Sequence, residues 1–301
     1  MRSLRQKLWS AQAKFAPYLF VAPFFILFCC FMAWPLMRSM VLSLHKFATP
    51  RTSKFVGLGN YAFVLHDKAF WLSLGNTLYF ALFFLPLQLI LSLGLALLLN
   101  SKRLRFRNLF RFAFFSSHLV GGVFVAVMFS LLLAERSGLI NLAIGKIFPS
   151  IGSETAWLTN RYLAMPAIVM ASLWLSVGHG MIYFLAALQA VDRDLYEAAA
   201  VDGANPWQRF WHITLPGIRP VLTFMVLVGI VGSFQLFELP YVMFQGKNPF
   251  ATTIVMYLFM MGFDTGDLGY ASAVGWMLVI LISAASVFQL RAILQREAAR
   301  A

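Results

Sequence analysis

The sequence predicts an all-α, polytopic membrane protein with six transmembrane helices, and three observations carry that prediction. Of its 301 residues, 60% are hydrophobic and only 12% are charged, and the mean hydropathy is +0.77. No single soluble core of this length buries so much apolar surface. Second, six runs contain no Asp, Glu, Lys or Arg: Phe15 to Met37, Ala69 to Ser101, Phe112 to Ala134, Tyr162 to Val191, Pro220 to Phe237 and Leu268 to Leu290. Each is near or above the roughly 20 residues that a helix needs to cross a bilayer. Backbone groups in hydrocarbon must be satisfied within the segment, so such runs fold as helices, whereas a β-barrel would show short alternating strands. Third, the basic residues are distributed unevenly between the two sets of connecting segments, and this fixes an orientation.

With the N-terminus in the cytoplasm, the inner segments hold fifteen Lys and Arg: Arg2, Arg5, Lys7 and Lys14, then Lys102, Arg103, Arg105, Arg107 and Arg111, then Arg193, Arg209 and Arg219, and finally Arg291, Arg296 and Arg300. The outer segments hold eight: Lys46, Arg51, Lys54, Lys68, Arg136, Lys146, Arg161 and Lys247. Both termini are therefore expected inside. The same distribution explains the net charge of +13 without nucleic acid, because the cations flank membrane segments and form no single stripe.

Residues 1–14 read as a basic cytoplasmic tail. The first apolar run is long, contains Pro17, Pro23 and Pro35 and has no clear small-residue cleavage site, so it is expected to remain as an uncleaved span. Cys29 and Cys30 are adjacent within it, poor geometry for pairing. The segment between Ala134 and Tyr162 is long enough for short helices. No linker or low-complexity tract interrupts the chain. One transmembrane domain over residues 15–292 is expected, with a loop at 192–216 and a short cytoplasmic tail at 293–301.

That loop is the most informative part of the chain. Val191 to Pro220 reads VDRDLYEAAAVDGANPWQRFWHITLPGIRP, charged residues and two short helices between apolar spans. Asp192 and Asp194 suit a helix start, Glu197 and the run Ala198, Ala199, Ala200 follow, and Gly203 ends the helix because glycine takes a left-handed conformation freely. A helix with so little side chain can enter a narrow cleft. Asn205 is a second N-cap with Pro206 at the first helical position. Trp207, Phe210 and Trp211 fall on one face, and Pro216 is expected to stop that helix.

Glu197-Ala198-Ala199, then Gly203, then Ile213, Leu215 and Pro216 resemble the EAA signature of the permease subunits of binding-protein-dependent ABC importers. The approach to it, Ala171 to Ala204, resembles the sugar branch related to the maltose and glycerol-phosphate importers. So do GLGNY and FWLSLGNTLYF within Val56 to Phe80, and GYASAVGWMLVI in the sixth span. The resemblance implies a bacterial inner-membrane subunit that pairs with a second homologous permease, two ATPases and an extracytoplasmic solute-binding protein. It also implies that the loop is a cytoplasmic coupling helix docked into an ATPase groove. Glu197 would make charged contacts there, Ala198 and Ala199 would allow close approach, and Asp202, Gly203, Leu215 and Pro216 complete the motif. The chain itself lacks a GxxxxGK[ST] phosphate loop, since Gly145-Lys146 and Gly246-Lys247 are followed by Ile147 and Asn248. No cofactor is expected on this chain, and ATP with Mg would sit on the partner ATPases.

Polar groups within apolar spans are costly, and they are the candidates for a solute path. Matched on Trp174 and Gln189, the residues Leu175, Ser176 and His179 correspond to solute-contacting positions of the maltose branch, although the residue types differ. Ser233 matches another such position, with Gln235 and Glu238 as polar neighbours. A sugar site needs hydroxyl-binding donors and acceptors with a flat ring beneath the pyranose. His118 is a weaker candidate, and Asn76, in the shared LGNTL segment, is expected to be structural. An ion-coupled secondary transporter of a small polar solute is the alternative; it would place ionisable groups deep in the spans, where Glu238 is the one exception. A membrane enzyme would need a nucleophile with a base or a metal cluster, and the scattered His show no HExxH. Both readings leave the Glu197 loop unexplained.

Overall fold

A computed structural model describes residues 2–49, 52–101, 104–147 and 155–298. Of the basic residues that orient the chain, Arg51, Lys102, Arg103 and Arg300 lie outside them. The chain divides into two compact units, Met1–Val64 with Met261–Met277, and Leu65–Met260 with Leu278–Ala301. Fifteen helices follow in order among the described residues: α1 (Arg2–Phe28), α2 (Trp34–Ser43), α3 (Gly59–His66), α4 (Lys68–Asn100), α5 (Arg107–Ser116), α6 (Gly122–Leu132), α7 (Leu139–Ile147), α8 (Ala164–Ala190), α9 (Arg193–Val201), α10 (Pro206–Arg209), α11 (Leu215–Gly217), α12 (Arg219–Phe234), α13 (Glu238–Phe244), α14 (Ile254–Phe259) and α15 (Leu268–Ala298).

Among the described residues, five stretches are long and apolar enough to cross a membrane, and a sixth is the bent pair Arg107–Leu119 and Gly122–Leu132, which turns by 97° at its break. The expected third span is therefore present but interrupted. The fifth is also broken. It stops at Phe234 and resumes at Glu238 as α13, so the charge that ended the apolar run sits inside the continued path of the chain. The sixth span, Leu268–Gln289, lies within a helix that continues to Ala298.

In the first unit, α1 and α2 are joined through a π-helical turn at Cys29–Ala33, and no residue in the most apolar stretch of the span they form is buried. An antiparallel hairpin, β1 (His45–Thr49) and β2 (Thr52–Phe55), adds a small strand pair that the all-α reading did not contain. Asn60 of the GLGNY segment holds this hairpin. Its amide donates to the carbonyls of Ser43 and His45 at 2.8 and 2.9 Å, and Tyr61 meets the Ser43 hydroxyl at 2.8 Å.

In the second unit, α4 and α8 form the central pair, and two apolar clusters are stacked along α8. At its Ala164 end, Ala167, Ile168 and Ala171 pack with Val125, Ala126 and Phe129 of α6 and with Leu239, Met243 and Phe244 of α13. At its Ala190 end, Met181, Phe184 and Leu188 pack with Ala96 and Leu99 of α4 and Met225 of α12. The halves of the two broken spans are thus sorted: α6 and α13 belong to one cluster, α12 to the other.

Asn76 donates to the carbonyls of Pro249 and Thr252 at 2.8 and 2.9 Å, while Thr77 accepts from the Ile254 amide. The LGNTL segment is therefore structural, as expected, and ties α4 to the 249–254 turn. Asn141 is a comparable hub in α7, fully buried. It donates to the carbonyls of Ala134, Glu135 and Thr155 and accepts from the Trp157 indole at 2.7 Å. Asn141→Ala leaves these groups without their partner, and a loss of about 2–4 kcal/mol is expected. A lower thermal midpoint of the purified protein, relative to an exposed control such as Asn100→Ala, checks this.

Candidate functional site: the 192–216 loop and the polar layer beside it

The loop begins where α8 ends. Asp192 caps α9 by accepting from the Asp194 amide at 3.0 Å. The helix closes on Gly203, whose φ of +79° is left-handed. The Ala204 amide reaches back to the Ala199 carbonyl and the Gly203 amide to that of Ala200, the paired bonds of a Schellman ending. Asn205 and Gln208 then exchange side-chain and backbone bonds as a capping box that starts α10.

Helix α9 has no buried residue. Glu197, Ala198, Asp202 and Gly203 are exposed and Ala199 is half-buried. Val201 is 89% exposed, an apolar side chain with nothing over it. A Cβ added at Gly203 would meet nothing within 4 Å. The positive φ, not crowding within this subunit, is what favours glycine there. Beneath the loop, the Tyr196 hydroxyl meets the buried Thr214 hydroxyl at 3.0 Å, tying α9 to the second helix. Trp207, Phe210 and Trp211 share a face, with ring centroids 5.6 to 5.8 Å apart.

Pro216 does not stop that helix. A π-helical turn at Phe210–Thr214 precedes it and passes into α11, where Leu215 is half-buried and Pro216 exposed. The chain bends only at Gly217 and Ile218 before α12. A widened turn upstream removes the bond that a proline would otherwise break.

The other part of the site lies halfway along α8, between the two apolar clusters. The break in the third span falls here. Gly178 of α8 lies so close to α5 that an added Cβ would overlap the Phe114 carbonyl, and one on Gly180 would reach the Ser92 hydroxyl and come within 3.4 Å of the Gln88 amide. His118, just before the break, stacks on His179 with ring centroids 4.1 Å apart and planes 21° from parallel. Tyr183 meets His179 edge-on at 4.9 Å, and Phe224 of α12 follows at 6.0 Å. A cavity of about 520 Å³ adjoins this break, lined by Leu91, Phe114, Ser117, Trp174 and Gly178 among others.

Leu175, Ser176 and His179 are half-buried on α8, and the Ser176 hydroxyl donates to the Ser172 carbonyl at 2.7 Å. Gln235 and Glu238 are exposed at the break between α12 and α13. Ser233 is 1% exposed and donates to the Gly229 carbonyl at 2.7 Å, so its hydroxyl is held by its own helix.

Sequence reasoning undervalued His118 and missed Gln88. Gln88 is buried, wedged between Gly180 of α8 and Gly229 of α12, and its Oε1 has no hydrogen-bond partner. The small residues at those positions were the available signal, since close helix approach in membranes uses glycine and serine. The layer offers hydroxyls, imidazoles, an amide and a carboxylate. Among the described residues no cluster of three or more His, Cys, Asp or Glu could hold a metal ion.

Residues 14–298 match the family described as the binding-protein-dependent transport system inner membrane component. The chain belongs to this family. It is 36% identical to the arabinooligosaccharides transport system permease protein AraP of Bacillus subtilis over 280 residues, covering 92% of this chain and 88% of that protein. It is 35% identical to the lactose transport system permease protein LacF of Rhizobium radiobacter, covering 93% and 94%. The fold matches a chain of a bacterial alginate ABC transporter, solved with an alginate pentasaccharide-bound periplasmic protein, with a TM-score of 0.82, 22% identity and coverage of 94% and 96%. The protein is thus an inner-membrane permease subunit of an ABC importer.

The two glycines of α8 and the glycine of the loop should respond differently to alanine. Gly178→Ala forces α5 off α8 and should lower the thermal midpoint strongly, by about 2–4 kcal/mol of stability. Gly203→Ala meets open space and should cost only about 1 kcal/mol of left-handed strain. Melting the two purified variants side by side checks the contrast.

Proposed function

We propose that this chain forms half of the translocation pathway for a sugar or related polyol and is driven through the 192–216 loop by separate ATPase subunits. The observation that carries the reading is the exposed α9, a short helix of small side chains closed by Gly203 and joined directly to the end of α8. An exposed apolar Val201 beside Glu197, Ala198 and Asp202 suits a docked partner better than water. Conversion of ATP hydrolysis into movement would run from the ATPase groove through α9 into α8. The partners are two ATPases with their ATP and Mg, a second homologous permease, an extracytoplasmic solute-binding protein and membrane lipid. Neither nucleic acid nor a cofactor on this chain enters the scheme. Both termini and the loop lie in the cytoplasm.

A sugar-type solute is supported by the relatives, whose names specify arabinooligosaccharides and lactose. The polar layer suits one: rings at His118, His179 and Tyr183 offer faces to a pyranose, and Ser176 and Gln235 offer hydrogen bonds to its hydroxyls. Leu175 contributes apolar contact beside them.

Gly203→Trp should leave membrane insertion intact but abolish solute uptake and the stimulation of ATPase activity by the solute-loaded binding protein. Normal uptake by this variant contradicts the docking role. Substituting Ser176 and His179 together with alanine should change the relative uptake of different sugars by about 10-fold; an unchanged selectivity profile removes both from the path.

A further inference from the structure

Glu238 carries more information than a polar neighbour of the path. It opens α13 directly after the break in the fifth span, and the packing of Leu239, Met243 and Phe244 into the cluster with Val125 and Phe129 fixes that helix against α6. Its side chain consequently lies over Gly122, the first residue of α6. A Cβ at that position would collide with Glu238 Oε2 and lie 3.6 Å from its Cδ.

The depth follows from the neighbouring contact. Gly122 comes four residues after His118, and His118 stacks on His179, close to the middle of the 27-residue α8. The carboxylate therefore sits near the level at which both spans are broken. It is exposed, and lipid is not a tolerable neighbour for an acidic group at such depth, so it fronts a water-filled space or a facing subunit. Residues 112–134, 162–191 and 220–237 contain no Lys or Arg to offset it.

The first amides of α6 have no helical acceptor, and such an end attracts anions. The Glu238 carboxylate lies beside the first residue of α6 and accepts no hydrogen bond from those amides. An acidic solute arriving at this level would meet a like charge in its way. We infer that Glu238 makes the passage selective for neutral over acidic saccharides. This rests on the sugar reading above and narrows it.

The test is uptake into proteoliposomes by the complete transporter with its solute-binding protein, each variant read with the same receptor so that receptor choice cancels between variants. The probes are neutral di- and trisaccharides paired with their acidic counterparts, beginning with lactose and lactobionate. The wild type should favour the neutral member by roughly 10-fold or more, the effect of a like charge within about 10 Å at intermediate dielectric. Glu238→Gln should reduce that preference at least about 5-fold, Glu238→Asp should retain it, and Gln235→Glu should widen it. Equal uptake of both members by the wild type, or an unchanged preference in an assembled Glu238→Gln transporter, overturns the inference and leaves the sugar reading standing. If the wild type, with its solute-binding protein, takes up no neutral saccharide or polyol, the sugar reading falls, and this inference falls with it.

Discussion

The close approach of α8 to α4 and α5 is the constraint on which the rest of this subunit depends. Side chains at 178 and 180 would push those helices apart, and at Gly178 the obstacle would be the backbone of Phe114. In a bilayer there is little hydrophobic driving force between helices, so contact of this kind must come from small residues and complementary surfaces. Once α5 rests on the middle of α8, the third span can break there. The break lies beside a cavity lined by Ser117 and Val120. The His118–His179 stack and the placement of Gly122 under Glu238 are consequences of that geometry.

The same helix links the two parts of the candidate site. One continuous α8 carries Ser176 and His179 at its middle and delivers the chain into α9 at its end. Thr214 and Tyr196 tie the two arms of the loop together, so a push on α9 is transmitted to the start of α12 as well as to α8. Helix α12 ends at Phe234 beside the polar layer. Both arms of the loop therefore lead to the same level of the bundle, a sound arrangement for passing movement from one face of a membrane to its centre.

Much of this was legible in the residues, and the reasons are physical. Continuous helices such as α4 and α8 are announced by apolar runs longer than a bilayer requires. The loop is announced by capping chemistry, and Asp192, Gly203 and Asn205 each do what their side chains or backbone freedom permit. The breaks were less legible. Nothing in the apolar composition of 112–134 marks the bend at Val120–Gly121, because adjacent glycines also serve ordinary close packing. Pro216 was misleading in the opposite sense, as a π-helical turn absorbs it. Ser233 and Gln88 show a further limit: polarity in a span identifies a residue that needs an explanation, whereas its direction depends on tertiary packing. Ser233 turns its hydroxyl onto its own helix, and Gln88 fills the gap between two glycines on neighbouring helices.

The family assignment turns the geometry of the loop into a claim about partners, and proximity is the most direct way to test it. With Cys29 and Cys30 replaced by serine, a single cysteine at position 198 can be treated with a short bifunctional thiol reagent in membranes that contain the whole transporter. The account predicts a cross-link from position 198 to an ATPase subunit, and protection of that cysteine from impermeant thiol reagents added outside the cell. Labelling from the external side, or a cysteine that reaches no other polypeptide in the assembled transporter, would contradict it.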